Sequence, residues 1–529
     1  MNSSVKNFFL TTSVFFIFLS IFFLWHASLP HFTTNDDPYY HARWSAIIAE
    51  RNAWGATEPW IAYHFLSESP VDPYFLAHFL TAKLIKAFGV IWGVKILSAL
   101  QAAAVFAVFF WLAKSAKIQR PFLWTILLGI SSAAFTSRLL FERPFVLSIA
   151  FLLLTYECVR RKNYLWLTLL TILYTLYYNL APLGLSIALV SILVDWRRKE
   201  AINLKPLIAI SLGLAIGILI VPHSLNYLSL MFVQFWDQGW LKLQGINLPS
   251  GREIMPQSGL MILGNNALLI LFQISALAIF FFLYKERKIN WELQMLCLIS
   301  TIWFVVGVMI PRGVEYWAPF GCLFAGLAIT TLSKEGYWRE MVKKIDTVVA
   351  WPILRAISIA AIVLLSIGRM NTALLSLRTV YQKDAKLADY KGASDYLMAA
   401  TEKQSIIFHP DWGIFPRLFF FNTHNRYMSG FDPIFLYEYN REMYWLWYNI
   451  TYRAEYCNHA LKCPELPGDK NTLAIALTIR AVFDSSYIIT LRTPTTTFGK
   501  FLDEEPEYFR RAYRNNTLSV YEVTLPRDN

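Results

Sequence analysis

The sequence predicts an α-helical polytopic membrane protein of about eleven transmembrane helices, followed by a C-terminal α/β domain. Apolar residues make up 56% of the 529 residues and charged residues only 16%, whereas soluble domains average roughly 45–50% and 25%. The apolar residues are concentrated in runs of about 18–25 residues, long enough to cross the hydrocarbon core of a bilayer. Basic clusters recur in alternate connections between these runs. Together the three observations predict a chain that crosses the membrane many times.

The predicted spans follow the apolar runs. They lie near residues 8–25, 90–113, 122–137, 145–159, 164–180, 182–195, 206–222, 259–284, 294–310, 317–333 and 346–367. The first run is as apolar as a secretory signal, but no small-residue cleavage site follows it, so we interpret it as an uncleaved helix. An odd number of spans places the two ends of the chain on opposite sides of the membrane.

Basic residues predict the orientation of these spans. Basic clusters lie at residues 114–120, 160–162, 197–199, 285–288 and 339–344. Lys and Arg accumulate in cytoplasmic loops, so these connections are predicted to be cytoplasmic. The formal net charge of +12 therefore reflects membrane topology, and no nucleic-acid partner is expected. The chain is predicted to be a multi-pass protein of the cytoplasmic (inner) membrane.

The chain is predicted to form two domains. The transmembrane domain covers residues 1–367, with external loops at 26–89 and 223–258, and an extracytoplasmic α/β domain covers residues 368–529. In the second domain, strands are predicted near 405–408, 487–491 and 518–523, with a helix near 383–401. Cys457 and Cys463 lie in this exported domain, where a local disulfide is expected.

The densest polar cluster follows the first span and contains Asp36, Asp37, His41 and Arg43. Adjacent carboxylates beside an imidazole suit a hard divalent cation such as Mg²⁺ or Mn²⁺, which prefers oxygen ligands. The alternative is a helix start, because Asp37 precedes a proline that fits the first helical position. The two interpretations are compatible.

Three further candidates lie in outward connections. Glu142 follows the third span, Glu253 lies in the loop 223–258, and Arg312 lies between two late spans. The alternatives are a salt bridge at the membrane edge for the first, a polar turn for the second and an Arg312–Glu315 pair for the third. All three map to the same membrane face as Asp37. Carboxylates with a cation and a neighbouring arginine are what a phosphate-bearing lipid substrate requires.

These segments resemble a known family. Residues 37–43, DPYYHAR, resemble the D-P-[WY]-[FY]-[NH]-x-R signature of oligosaccharyltransferase catalytic subunits, which belong to the GT-C superfamily of membrane glycosyltransferases. Residues 250–256, SGREIMP, are similar to the S-V-S-E-x-x-P segment of their external loop. Arg312 with Tyr316 and Pro319 resembles their late arginine-containing turn, and Arg138 with Glu142 their second acidic segment. The segments also occur in the same order along the chain.

The resemblance implies a site and a reaction. It implies that Asp36, Asp37, Glu142 and Glu253 bind Mg²⁺ or Mn²⁺, with the last three of these catalytic and Glu253 also able to orient the acceptor. It implies that Arg312, with His41 and Arg43, contacts the phosphates of a polyprenyl-linked sugar donor. Transfer in this family inverts the anomeric centre.

The chain departs from the family in two segments. Only Glu142 is acidic where the family has D-x-D or D-x-E, and the acceptor-binding W-W-D-x-G is missing. Asp411 and Trp412 follow a predicted strand in a comparable place and are predicted to bind the acceptor, although a simple turn would also explain them. The acceptor is a glycan, a lipid or a protein, and we favour one other than the Asn-x-Ser/Thr sequon.

The leading hypothesis is a membrane glycosyltransferase that moves a sugar or an oligosaccharide from a polyprenyl (pyro)phosphate on the extracytoplasmic face. The alternatives are an oligosaccharyltransferase proper, a lipid-linked-glycan flippase or transporter, and a non-enzymatic assembly scaffold. Against transport, intramembrane charges are sparse and no inverted repeat with broken helices is visible in the sequence. Metal-dependent sugar transfer would separate the enzyme from the other classes.

Overall fold

The computed structural model describes the whole chain except residues 1–2, 35, 55–59, 69, 250, 338–351, 382–385, 461, 493–496 and 526–529. The chain divides into two compact units. Unit 1 holds residues 1–34, 73–221 and 251–382. Unit 2 holds residues 35–72, 222–250 and 383–529. The segment carrying the predicted DPYYHAR motif and most of the loop 223–258 thus fold with the C-terminal part of the chain.

The regular secondary structure of unit 1 is helical throughout its described residues. Its helices are α1 (Ser3–Ala27), α3 (Phe75–Phe88), α4 (Val90–Ser115), α5 (Pro121–Ser131), α6 (Ala133–Leu139), α7 (Phe145–Arg160), α8 (Tyr164–Tyr177), α9 (Gly184–Arg197), α10 (Lys205–Ile220), α13 (Gly259–Lys285), α14 (Trp291–Met309), α15 (Val314–Lys334) and α16 (Pro352–Ser376). Their buried side chains form one continuous apolar core.

The chain is a multi-pass membrane protein. Among the described residues, six helical segments are long and apolar enough to span a bilayer, and the bent pair α5–α6 makes a seventh. The remaining predicted spans are also helices, α7 to α10, but they contain only 14–16 residues, fewer than the ~20 that a membrane-crossing helix needs. The start of the last predicted span, residues 346–351, lies outside the described residues.

The third predicted span is sharply bent. Its two halves, α5 and α6, meet at 92° because Ser132 has an extended backbone (φ −148°, ψ 118°). The Ser132 hydroxyl accepts a hydrogen bond from Phe135 N (3.0 Å), which caps α6, and donates one to Asn266 Oδ1 (2.6 Å). Asn266 is itself non-helical within α13 (φ −130°). The helix breaks at Ser132 and Asn266, joined by this hydrogen bond, therefore fix the direction of α6, whose last turn carries Arg138.

Unit 2 is an α/β unit. Its five-stranded sheet has the order β2-β1-β3-β5-β4, with β1 (Ile406–Phe408), β2 (Arg426–Tyr427), β3 (Ser485–Leu491), β4 (Phe509–Arg514) and β5 (Leu518–Val523). The pairs β1–β2 and β1–β3 are parallel, whereas β3–β5 and β4–β5 are antiparallel. The three predicted strands are confirmed as β1, β3 and β5, and the mixed topology of the sheet was not predicted.

Unit 2 also contains helices, which lie before, between and after the strands along the chain. They are α2 (Asp37–Arg51), α11 (Ser224–Phe232), α12 (Gln238–Leu243), α17 (Leu387–Ala400), α18 (Phe415–Phe421), α19 (Ile434–Tyr439), α20 (Arg441–Arg453), α21 (Gly468–Leu477) and α22 (Phe498–Glu504). The predicted helix at 383–401 is α17, and residues 383–385 lie outside the described part of the chain. Cys457 and Cys463, between which the sequence makes a disulfide reasonable, are both free thiols, and Cys457 Sγ faces the carbonyl oxygen of Lys462 at 3.1 Å.

Candidate active site

Three arginines and two glutamates of unit 1 lie together at the ends of its helices. Arg138 is at the end of α6, Arg143 precedes α7, Glu253 lies in a 3₁₀ turn, Arg312 in the turn Pro311–Gly313, and Glu315 in the first turn of α15. We call these five residues the arginine cluster. Their positions in the sequence extend from residue 138 to residue 315, so the cluster forms only when the helices pack.

The contacts within the arginine cluster are ion pairs. Arg143 Nη1 donates to Glu253 Oε1 at 2.6 Å, and Arg138 Nη2 donates to Glu253 Oε2 at 3.3 Å. Arg138 Nε donates to Glu315 Oε1. Arg312 lies farther from Glu315, with Nε 3.9 Å from Oε1, and its Nη2 donates to the hydroxyl of Tyr178. The predicted alternative of a simple Arg312–Glu315 pair therefore describes only the longest of these contacts.

Positive charge exceeds negative charge in the arginine cluster. Burial raises the pKa of Glu253, but the guanidinium groups of Arg138, Arg143 and Arg312 lower it by more, so its pKa lies below the usual range. Glu315 is fully buried, whereas a third of the Arg312 side chain is exposed. Arg312 Nε and Glu315 Oε2 are buried without a hydrogen-bond partner among the described residues. The site thus has an accessible cation with unused hydrogen-bonding capacity.

A close backbone contact holds the Arg312 turn in place. A Cβ atom on Gly313 would lie 2.6 Å from Gly307 N and 2.7 Å from Val306 C, closer than real Cβ atoms come. Only glycine lets the turn between α14 and α15 pack so tightly. The Arg312 guanidinium then lies 5.9 Å from the centre of the Phe145 ring, a distance at which a cation interacts with an aromatic face.

Glu142 lies in a separate group of unit 1. Its carboxylate accepts hydrogen bonds from Thr33 N (2.9 and 3.1 Å to the two oxygens) and from Thr33 Oγ1 (2.8 Å). His26 Nδ1 lies 3.1 Å from Glu142 Oε1, and both side chains are fully buried. Lys95 is buried nearby and donates to the backbone carbonyls of His26 and Leu29. Glu142 therefore links the connection before α7 to the end of α1 and the residues that follow it.

In unit 2, the predicted motif forms the start of α2. The helix begins at Asp37, with Pro38 in its first turn, so the helix start predicted from these two residues is confirmed. A carboxylate in the first turn is favoured by the helix dipole. His41 is buried beside the ring of Tyr40. Arg43 lies 3.4 Å from Glu50 and donates to Thr423 Oγ1 at 3.2 Å.

Asp36 and Asp411 share a neighbour in unit 2. Burial raises the pKa of Tyr390, the guanidinium of Arg417 lowers it, and the charges of Asp411 and Asp36 raise it further. Arg417 lies over the Tyr390 ring, 4.2 Å from its centre. The Tyr390 hydroxyl is buried and makes no hydrogen bond within the described residues. Tyr390 and Arg417 thus form a second polar group, which we call the tyrosine group and on which the charges of Asp36 and Asp411 act.

The turn that carries Asp411 and Trp412 is well defined. It follows β1, as predicted, and the Asp411 side chain accepts a hydrogen bond from Gly413 N at 2.8 Å. The buried ring of His409 contacts the carbonyl oxygens of Asp411 (3.0 Å) and Ser429 (2.8 Å), and burial lowers its pKa. Trp412 is half-buried against the apolar core of unit 2. Its role as an acceptor contact stays a prediction.

Known proteins share this fold, although they are not found by sequence. No protein-family model matches the chain, and no curated protein matches its sequence. A solved structure of the oligosaccharyltransferase AglB from Archaeoglobus fulgidus, in complex with an inhibitory peptide and a dolichol-phosphate, matches with a TM-score of 0.57 at 11% identity, covering 91% of this chain and 69% of AglB. ArnT from Cupriavidus metallidurans, bound to undecaprenyl phosphate, matches with a TM-score of 0.51 at 13% identity, covering 98% of this chain and 97% of ArnT.

The chain has the fold of GT-C membrane glycosyltransferases. The GT-C fold that the family resemblance predicts is therefore confirmed. A further AglB structure, in complex with Zn and sulfate, matches with a TM-score of 0.54 at 12% identity, covering 96% of this chain and 73% of AglB.

The carboxylates of unit 1 do not fit a metal site as they are placed. Across the described residues, no group of three or more His, Cys, Asp or Glu side chains is close enough together to hold a metal ion. Glu142 is satisfied by Thr33 and His26, and Glu253 by two arginines. The roles of Asp36 and Asp37 as metal ligands stay predictions.

Sequence reasoning missed several members of these groups. Arg138 was named only as part of the segment that resembles the family's second acidic segment, and Arg143, Tyr178, Tyr390 and Arg417 were not singled out. For Arg138 a signal existed, because an arginine next to an apolar span is costly without a partner or a function. For Tyr390 and Arg417 none existed, since a tyrosine and an arginine in amphipathic helices are ordinary.

Proposed function

We propose that this protein is a glycosyltransferase that moves a sugar from a polyprenyl (pyro)phosphate donor to an acceptor on the extracytoplasmic face of the membrane. The observation that carries the proposal is the arginine cluster, in which three guanidinium groups face two carboxylates. Guanidinium forks bind phosphate oxygens in pairs. The excess of positive charge suits a donor phosphate whose negative charge grows as the glycosidic bond breaks.

The structural neighbours support the donor class. ArnT was solved with undecaprenyl phosphate and AglB with a dolichol-phosphate, and we extend this class of ligand to the present chain. In the proposed reaction, the acceptor oxygen or nitrogen attacks the anomeric carbon, the bond to the phosphate oxygen breaks, and the acceptor proton passes to a general base or to water. Inversion at the anomeric carbon follows from a single displacement. Arg312, with Arg138 and Arg143, stabilises the departing phosphate.

Transfer of a single sugar to an acceptor other than a sequon peptide is the version that we favour. The chain matches ArnT over nearly the full length of both chains, whereas it leaves about a third of AglB unmatched. It also has one tryptophan, Trp412, where the oligosaccharyltransferase motif requires two. The second candidate is protein N-glycosylation, which the slightly higher TM-score to AglB (0.57 against 0.51) favours.

A turnover assay with the variants Arg312→Lys and Arg312→Ala tests the phosphate site. Purified full-length protein is given a polyprenyl-linked sugar together with a lipid, glycan or peptide acceptor, and release of the polyprenyl phosphate is measured. We expect Arg312→Lys to reduce turnover about tenfold or more, since a charge-assisted hydrogen bond contributes roughly 1.5–3 kcal/mol and 1.4 kcal/mol is tenfold. Arg312→Ala should reduce it further.

The matched control is Arg160→Lys. Arg160 is held by Glu157 (2.6 Å) and Glu292 (2.8 Å) in another part of unit 1, so its replacement should leave turnover intact. Wild-type turnover of the Arg312→Lys variant would overturn the phosphate site. A wild-type protein that moves the lipid-linked sugar across a vesicle membrane without consuming it would instead identify a flippase.

The acceptor is tested in the same assay with a fluorescent sequon peptide and, in parallel, a lipid or glycan acceptor. We expect sugar transfer to the lipid or glycan acceptor and not to the peptide. Efficient glycosylation of the peptide would establish the second candidate instead.

A further inference from the structure

The segment 224–243 presents an exposed apolar stripe. It consists of α11, the π-helical turn Val233–Asp237 and α12. Six apolar side chains on it are about half exposed or more: Leu225 (78%), Leu228 (51%), Phe232 (57%), Trp236 (58%), Trp240 (49%) and Leu243 (82%). They recur at intervals of three or four residues, which is the period of one helical face. Phe232, Trp236 and Trp240 stack in succession, with ring centres 6.5 and 6.4 Å apart.

The opposite face of the same segment is already used for folding. Tyr227, Leu230, Met231, Val233 and Leu241 are buried, and three of them belong to the apolar core of unit 2. The segment is therefore apolar on two faces. The stripe contributes nothing to the packing of unit 2, and an exposed row with two tryptophans requires another explanation.

We propose that this stripe, defined by the six exposed side chains, lies in the interfacial region of the lipid bilayer and attaches the segment to the membrane surface. Tryptophan is the residue that most favours this region, because its ring is apolar and its N–H remains hydrated. An interfacial helix inserts its apolar face about 5–10 Å into the headgroup–acyl boundary. The proposal concerns attachment to lipid and does not depend on the glycosyltransferase reaction.

The covalent connections of the segment favour lipid as the partner. The apolar helix α10 ends at Ile220 and α11 begins at Ser224, so at most about 14 Å of extended chain separates them. Leu219 and Ile220, at the end of α10, are also exposed, at 74% and 52%. Exposed apolar surface thus continues along the chain from a helix of the membrane unit into the stripe.

The charge and width of the stripe argue against a protein partner. The one acidic residue in the segment 224–243 is Asp237, which is partly buried, and Lys242 is exposed. A basic residue beside tryptophans suits the phosphate groups of lipids. A stable interface between proteins buries about 800 Å² and 20–30 residues on each side, whereas a single row of six side chains is too narrow.

The test uses photocrosslinking in the full-length protein. Trp236 or Trp240 is replaced by p-benzoylphenylalanine, the protein is reconstituted in nanodiscs of phosphatidylcholine and phosphatidylglycerol, and products are analysed by mass spectrometry after illumination. We expect phospholipid adducts at both positions. The matched control is the same replacement at Tyr456, an exposed aromatic residue of unit 2, which should give at least tenfold less lipid adduct.

Three outcomes would overturn the proposal. Crosslinks between two copies of the chain would show that the stripe is a dimer interface. Lipid adducts equal to those at position 456 would show that the stripe faces water. Crosslinks to an added acceptor in place of lipid would make the stripe part of the acceptor site. Size-exclusion profiles check that each variant is folded, and Leu228 provides a third position if either tryptophan variant is not.

Discussion

At the scale of single residues, Glu142, which the family resemblance predicts to be a metal ligand, is held by several contacts within unit 1. Two donors on Thr33 and the ring of His26 surround its carboxylate. A buried carboxylate needs this number of donors to remain stable away from water. Its contacts tie the chain after α1 to the connection before α7. We therefore expect Glu142 to contribute to stability directly.

The variant Glu142→Gln tests this role. The amide nitrogen of glutamine cannot accept from Thr33, so one buried donor loses its partner at a cost of about 1–3 kcal/mol. We expect a lower thermal unfolding midpoint, and the same difference from wild type with and without EDTA. If Glu142 bound Mg²⁺ or Mn²⁺, EDTA would lower the wild-type midpoint and remove that difference. Glu286→Gln, at an exposed position, is the control and should leave the midpoint unchanged.

The arginine cluster shows what a single sequence cannot reveal about residues. Arg312 was predicted to be functional because an arginine beside an apolar span is costly. The ion pairs within the cluster were not predictable, since Glu253 lies 115 positions from Arg138 and 110 from Arg143. Such pairings depend on how helices pack, and periodicity along the chain carries no information about them.

At the scale of elements, α8 and α10 pack through small residues. A Cβ atom on Gly213 would lie 2.6 Å from Thr171 Cβ, and one on Gly217 would lie 2.6 Å from Thr175 Cβ. The threonine hydroxyls donate to carbonyl oxygens of their own helix, four residues earlier. Glycines four residues apart allow two helices in a membrane to approach closely. This spacing was visible in the sequence and is a signal that the prediction did not use.

Gly217→Ala is expected to lower the thermal midpoint of the protein. Alanine favours a helix over glycine by roughly 1 kcal/mol, but the added methyl group overlaps Thr175, and overpacking costs about 1–3 kcal/mol. The control is Gly368→Ala in α16, where no atom lies within 4 Å of the added Cβ. This variant gains the same helix propensity and creates no steric overlap. A midpoint for Gly217→Ala equal to or above that of Gly368→Ala would contradict close packing of α8 against α10.

The elements were more predictable than their ends and bends. All eleven apolar runs correspond to helices within the described residues, because a long uncharged run can satisfy its backbone in a membrane only as a helix. The 92° bend at Ser132 depends on Asn266, a residue 134 positions away, and was not predicted. The strands β2 and β4 were also missed, since one has two residues and the other, FRRAYR, is as charged as a loop.

At the scale of the whole molecule, charged residues lie at both ends of two long helices of unit 1, α7 and α15. Helix α7 begins two residues after Arg143 of the arginine cluster and ends at Arg160. Its 16 residues give it a length of about 24 Å. Helix α15 likewise runs from Glu315 to Lys334. The arginine cluster and the predicted cytoplasmic basic residues therefore lie at opposite ends of the same helices, as a site on the outer face requires.

Reporter fusions test the orientation that this arrangement implies. A phosphatase that is active only after export, fused after Asn529, is expected to be active, and the same enzyme fused after Lys199 is expected to be silent. The physical reason is that Lys and Arg near helix ends are retained on the cytoplasmic side during insertion. A reporter that is active only in the cytoplasm should give the opposite pattern at both positions and serves as the control. An active export reporter at Lys199 with a silent one at Asn529 would place the arginine cluster on the cytoplasmic side, and the donor would then have to be used where it is made.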